Sequence, residues 1–241
     1  MKKICEKHGE YEASEIKLPY MRDPIFSHCT KCIEELEAEE EKQKKEIQAE
    51  TNKYFLSSIG ISQRFYDSTF ENYKAETNDQ KKVLFVCKSY CTDFENLNGS
   101  ALFMCGSFGT GKTHLAISIL KELISSGKVR KGLYTSVMKL IRDIRSVYVT
   151  KEKTEQEMID KYIKLDFLIL DEVGVQMGSD NEKLLLFEVI NGRYEEEKST
   201  VLISNFNFDD LQKYIGARSM DRLTSKKGAV LTFSWESNRQ K

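Results

Sequence analysis

A chain of 241 residues, 40% hydrophobic and 31% charged, has room for one sizeable domain and a small one beside it. A formal net charge of −1 excludes nucleic-acid binding driven by bulk charge and leaves only a local basic patch for such a role. No apolar run approaches the roughly 18 residues of a membrane span, and no apolar stretch follows the basic start MKKICEKHGEYE, so no membrane or secretory destination is expected; the expected compartment is cytoplasmic, with reduced cysteines.

The first element in chain order is a pair of knuckles. Cys5 and His8 form C-x2-H, residues 9–28 intervene, and Cys29 and Cys32 form C-x2-C. Two close pairs of soft ligands joined by a short insert suit a tetrahedral Zn²⁺ site. A unit of about 35 residues cannot bury enough core to fold alone, and a metal supplies the missing stability. The competing readings are a disulfide pair or a chance cluster, and His28 competes for a ligand place at poorer spacing. Cys87, Cys91 and Cys105 have no partners at ligand spacing and read as small buried residues.

IEELEAEEEKQKKEIQAETNKYF follows, rich in Glu and Lys and almost free of breakers. Glu40 with Lys44 and Glu41 with Lys45 are i,i+4 pairs in the favourable order, so a solvated linker helix is expected. The composition shifts near SSIGISQRFYDSTFENY, which places a boundary around residues 57–60. The expected organisation is a zinc-binding unit at 1–36, a linker helix at 37–58 and a catalytic domain at 59–241.

That third part alternates helical and strand patterns. NDQKKVLFVCKSYCTDF reads as a helix, ALFMCG as a buried strand, THLAISILKELISSG as an amphipathic helix and GLYTSV as a strand. MKLIRDIRSVY and TEQEMIDKYIKL read as helices, DFLILDEVGV as a strand and NEKLLLFEVINGRYEEE as a helix. STVLISN and AVLTFSW complete the strands. Strands that are unbroken apolar runs, separated by helices, predict an α/β fold whose parallel sheet has helices on both faces.

GSFGTGKT fits the P-loop pattern G-x-x-x-x-G-K-[ST] between a predicted strand and a predicted helix. The expected nucleotide-binding residues are Gly106, Ser107, Phe108, Gly109, Thr110, Gly111, Lys112, Thr113 and His114. Loop N–H groups and the helix dipole surround phosphates, Lys112 reaches the β and γ phosphates, and the Thr113 hydroxyl holds Mg²⁺. FLILDE ends a buried strand in Asp171, expected near the Mg²⁺, and Glu172, expected to polarise an attacking water. A kinase for a small metabolite does not need Glu172 in that role, so the pair points to ATP hydrolysis. STVLISN ends in Ser204 and Asn205, where a polar side chain can hold the lytic water; alone, the stretch reads as a strand-to-loop turn. Arg218 and Arg222 in GARSMDRL share one helical face and read either as ordinary surface arginines or as fingers that can reach a neighbouring subunit's γ phosphate. Lys139, Arg142 and Arg145 recur at spacings of three and read either as a path for single-stranded DNA or as a solvated basic face.

The order of knuckles, linker helix, GTGKTHLA, FLILDEVGVQ, LISNFN, GARSMDRL and terminal FSWESNR resembles the DnaC-type helicase loaders of the AAA+ class, from about residue 60 to the end. The resemblance implies an ATP- and Mg²⁺-dependent loader. It would grip the replicative hexameric DNA helicase through its N-terminal region, self-associate on the helicase through its ATPase domain and help place the helicase on single-stranded DNA. By motif it makes Arg222 the arginine finger, Arg218 a second arginine at the same interface, Asn205 the first sensor and Arg239 a sensor arginine on the terminal tail. Ser107-Phe108 departs from the residue-then-proline of many relatives, which alters loop stiffness more than chemistry. The sequence stops after the last strand, so no full lid domain is expected. Transposition helper ATPases of the IstB type, which act on duplex DNA, have a similar core and are the competing family reading; a small-metabolite P-loop kinase and a zinc adaptor that binds nucleotide without hydrolysing it are the others.

Overall fold

A computed structural model describes residues 1–16, 25–174, 179–226 and 228–237. The chain divides into two compact units, Met1–Phe55 and Leu56–Lys241. Arg239, Val175 and Gln176 lie outside the described residues.

The first unit opens with an antiparallel hairpin of β1 (Lys2–Cys5) and β2 (Gly9–Glu12), in which Cys5 faces Gly9 at the turn. A second antiparallel pair joins β3 (Glu15–Ile16) to β4 (Ile25–Phe26). Helix α1 (Thr30–Ser58) starts within the C-x2-C knuckle, ahead of the expected linker. Leu56 is its one buried residue, and the Lys44–Glu40 and Lys45–Glu41 ion pairs form along its surface at 3.8 and 2.7 Å. Exposed pairs of this kind add only tenths of a kcal/mol each, so the helix rests mainly on its strong formers.

In the second unit, α2 (Asn78–Thr92) is capped by a Thr77/Gln80 capping box. Then follow β5 (Ala101–Gly106), α3 (Lys112–Ser125), β6 (Gly132–Ser136), α4 (Val137–Arg145), α5 (Val147–Thr150), α6 (Glu155–Ile163), β7 (Phe167–Asp171), α7 (Asp180–Glu195), β8 (Ser199–Ser204), α8 (Phe208–Ile215), α9 (Ala217–Thr224) and β9 (Ala229–Phe233). The five strands form one parallel sheet in the order β6-β7-β8-β5-β9. Strand alternation divides the core. Leu102, Met104, Phe167 and Ile169 pack under α2 and α3, while Phe103, Cys105, Leu168 and Leu170 pack under α4, α6 and α7. Both faces are covered, so the apolar runs are continuous rather than alternating.

Two predicted elements differ in extent. The helix expected over MKLIRDIRSVY divides at Ser146, whose hydroxyl bonds back to Asp143 O and caps α4. The strand expected over DFLILDEVGV stops at Asp171, because Glu172 leaves extended geometry with φ 59°. Cys87, Cys91 and Cys105 are all buried, as expected.

Among the described residues, Arg193 of α7 is one of the largest side chains to be fully buried, at 1% exposed. Its guanidinium donates to Tyr162 O and Leu165 O, both at 2.8 Å, and to Thr200 Oγ1 at 2.9 Å. It therefore ties the end of α6 to the start of β8.

Candidate functional site

With every strand parallel, the carboxyl ends of β5, β7 and β8 meet at one edge of the sheet, where ligands of open α/β sheets bind. The cleft there has a volume of about 760 Å³, within the usual range for ligand pockets.

The P-loop runs from the end of β5 to α3. Gly111 takes φ 94°, and a Cβ on it would lie 2.6 Å from the Tyr73 ring, so only glycine turns the chain into α3 there. The loop is stitched at both ends. Gly106 N–H donates to Phe206 O at 3.1 Å and Ser107 N–H to Phe233 O at 3.2 Å. Trp235 Nε1–H donates to Thr110 O at 3.0 Å. Lys112 is 5% exposed, and its ammonium donates to Gly106 O and Ser107 O, both at 2.7 Å, so it sits inside the mouth of the loop. Phe108, 67% exposed, stands at the rim of the cleft that it helps to line. His114 lines the cleft, with Nε2 2.8 Å from Thr69 O.

Opposite the loop, Thr113 Oγ1 donates to Asp171 Oδ2 at 2.9 Å, Tyr134 donates to the same oxygen at 2.7 Å, and Glu172 N–H donates to Asp171 Oδ1 at 2.7 Å. Burial first, and then the Asp171 carboxylate, push the Tyr134 phenol up, so it stays protonated and donates. Oxygen donors from a hydroxyl and a carboxylate meeting at one point suit Mg²⁺. Glu172 is exposed on the cleft wall, and half-buried Asn205 lines the same cleft. The β8 end and the turn after β7 are sewn together, with Val173 N–H donating to Ile203 O at 2.9 Å and Ser204 Oγ–H to Val173 O at 2.6 Å.

One wall of the cleft carries no motif. Arg64, Phe65, Asn72, Tyr73 and Lys74 line it from the segment between α1 and α2. The only sequence signal for this wall is the aromatic and turn-rich stretch that marked the domain boundary.

Arg218 and Arg222 do not line this cleft. Arg218 is exposed on α9, and the Arg222 guanidinium lies 4.9 Å from the centre of the Tyr194 ring. Of the α4 basic residues, Lys139 and Arg142 are exposed, whereas Arg145 is engaged with Glu182 at 3.1 Å.

In the first unit Cys5, His8, Cys29 and Cys32 bring their ligand atoms within 4.8 Å of one another. His8 Nδ1 lies 3.2 Å from Cys32 Sγ, 3.8 Å from Cys5 Sγ and 3.8 Å from Cys29 Sγ, and Cys5 Sγ lies 3.4 Å from Cys32 Sγ. A tetrahedron with Zn–S bonds of about 2.3 Å has edges of about 3.8 Å, so the cluster has the size of a zinc site. The hairpin turn supplies one knuckle and the start of α1 the other. His8 Nε2 faces Glu35 Oε1 at 3.1 Å, and Lys7 bridges to the same carboxylate at 2.6 Å, which directs Nδ1 at the thiols. The Cys5 thiol is pulled down to about 6, first by the Lys7 and then by the His8 backbone N–H. Cys32 is pushed up to about 11, first by the hydrogen bond with Cys5.

No helix among the described residues is long and apolar enough to cross a membrane. Residues 27–241 match the family model for IstB-like ATP binding proteins. The chain is 33% identical over 187 residues to the replicative helicase loader DnaC of Buchnera aphidicola subsp. Baizongia pistaciae, covering 77% of this chain and 75% of that protein. It is 29% identical over 182 residues to the replicative helicase loader DnaC of Escherichia coli K12, covering 76% and 73%. Among solved structures, a DnaC helicase loader superposes with a TM-score of 0.63 at 23% identity, over 71% of this chain and 99% of that one. AMPPCP-bound DnaA from Aquifex aeolicus gives 0.56 at 26% identity, over 68% and 50%. With a P-loop, an acidic strand end and a parallel sheet of this order, a family model matched over residues 27–241 and relatives matched along about three quarters of their length, the chain belongs to the IstB-like ATP-binding family and is of the DnaC type.

Proposed function

We propose that the protein is an ATP-dependent loader that binds a replicative hexameric helicase through its N-terminal region and helps place it on single-stranded DNA. The observation that carries this reading is the similarity to relatives named replicative helicase loader across three quarters of both chains. The cleft supports the ATP-dependent part, because it joins a phosphate-binding loop to an acidic strand end.

In this reading the P-loop N–H groups and Lys112 bind the β and γ phosphates. Thr113 and Asp171 hold a magnesium ion, which when bound neutralises charge on those phosphates. Glu172 takes a proton from the attacking water, and Asn205 orients that water. Arg222 acts on the γ phosphate held by a neighbouring copy, with Arg218 beside it and Arg239 assigned to the nucleotide by motif alone. Zinc held by Cys5, His8, Cys29 and Cys32 fixes the hairpin to α1 and gives the helicase a rigid arm. Lys139 and Arg142 are exposed and supply the charge for a DNA path, while Arg145 serves its ion pair with Glu182.

A second reading, a transposition helper of the IstB type acting on duplex DNA, is favoured by the name of the family model. Co-purification with the cognate replicative helicase, with ATP and with ADP, separates the two. Retention with ATP and release with ADP are expected. Tight duplex binding with no retention on helicase would move the protein to the second reading.

A further inference from the structure

The magnesium side of the cleft contains one hydroxyl that no nucleotide-binding motif accounts for. Tyr134 lies in the middle of β6, opposite Ile169 of β7, and its hydroxyl donates to Asp171 Oδ2 at 2.7 Å. That oxygen also receives the Thr113 hydroxyl, while the other oxygen receives Glu172 N–H. The torsion that turns a carboxylate about its own axis is broad and soft. Two donors on one oxygen and one on the other fix the plane of Asp171, which is only 7% exposed.

The phenol is itself rigidly aimed. On one side its strand is paired to β7. On the other, Tyr134 N–H donates to Ile59 O at 2.9 Å. Gly60 approaches so closely that a Cβ on it would stand 2.0 Å from Tyr134 O. The backbone of Tyr134 is therefore clamped from both edges, and its hydroxyl has a defined place at the bottom of the cleft.

We propose that Tyr134 is a positioning residue of the magnesium site, holding Asp171 in the orientation that, together with Thr113, receives the metal of a bound nucleotide. Loss of a partner that orients a metal ligand weakens metal binding by a factor of about 10–100. Because Tyr134 shares Asp171 with Thr113 and Glu172, the low end, roughly tenfold, is expected.

The inference rests on reading the cleft as a magnesium-nucleotide site, and the test keeps the two apart. Mn²⁺ is titrated into the full-length protein with ADP, and free Mn²⁺ is read by electron paramagnetic resonance. Tyr134→Phe removes a single oxygen atom, and Tyr134→Ile places a β-branched residue suited to a strand. The expected result is a roughly tenfold weaker Mn²⁺ affinity in both variants, with ADP affinity in EDTA unchanged. Should the parent protein take up no Mn²⁺ with ADP, the nucleotide-site reading itself fails. If the parent does so and a folded variant retains parental Mn²⁺ affinity, the role of Tyr134 is refuted. An equal loss of ADP affinity with and without metal, or unfolding of both variants, makes Tyr134 a packing residue and also overturns the proposal.

Discussion

Glu172 holds a φ of 59°, in the left-handed region that a non-glycine side chain occupies at a cost. The strain is held in place by neighbouring bonds, with Glu172 N–H on Asp171 Oδ1 and the next residue, Val173, bonded to Ile203 O. The turn presents the carboxylate to the cleft rather than along the strand, as a general base requires. Glu172→Gln keeps the shape and removes the proposed base. Hydrolysis should fall by about 10²–10⁴-fold while ATP affinity stays near parental, checked by single-turnover hydrolysis beside fluorescent-nucleotide titration; unchanged turnover would remove Glu172 from this role. Trp235 offers a second residue-scale test, since it is the chain's one tryptophan and its indole N–H holds Thr110 O in the P-loop. Nucleotide binding should change its emission. Trp235→Phe, losing one neutral hydrogen bond of about 1 kcal/mol, should weaken ATP binding by roughly fivefold. Equal affinity in the two proteins would place Trp235 outside the site.

At the scale of elements, the hairpin turn of β1–β2 meets the start of α1 at the four ligand atoms and at Glu35, which pairs with Lys7 and His8. In metal-free protein the Cys5 thiol titrates at about 6, through the Lys7 and His8 N–H groups, well below its ordinary 9.0. A lowered acid stabilises the fold when ionised. Its contribution is therefore complete above pH 9.0, shrinks as the pH falls, and is gone below about 6. Hairpin melting in metal-free protein should weaken across that window, and Cys5→Ser should abolish the dependence along with the thiolate absorbance that develops near its foot. Zinc should restore the hairpin, and chelation should loosen it while the second unit keeps its melting transition. These elements were only partly legible in the sequence. Ligand chemistry fixes spacing, so CEKH and CTKC could be read, as could GSFGTGKT and FLILDE. Strands of two to four residues held by a knuckle carry no periodic pattern, and β1 to β4 were invisible. Helix α8 has no counterpart among the expected elements, although Asn207 caps it by accepting from Asp210 N–H at 2.8 Å. The wall of Arg64, Phe65 and Tyr73, and the Tyr134 hydroxyl, reach the site through the fold, and no spacing rule joins them to the P-loop.

At the scale of the whole molecule the cleft holds the loop, the acidic pair and Asn205, but not Arg218 or Arg222. The Arg222 guanidinium instead rests on the Tyr194 ring of its own chain, half-buried on α9, while Arg218 faces solvent. A positive charge stacked on an aromatic face is held in place without being neutralised, so it stays available to an incoming phosphate. A site that binds ATP in one copy and draws its arginine from the next hydrolyses only in an assembly. Arg222→Ala should then retain ATP binding and lose about 10³-fold or more in hydrolysis. Lys112→Ala should lose ATP binding yet still present Arg222 to a neighbour. Neither variant should hydrolyse alone on the helicase, whereas their mixture should regain activity wherever an Arg222→Ala copy with ATP is followed by a Lys112→Ala copy. Steady-state phosphate release against mixing ratio should pass through a maximum between two inactive ends. A flat line would show that each copy completes its own site, and Arg222 would then act within the chain.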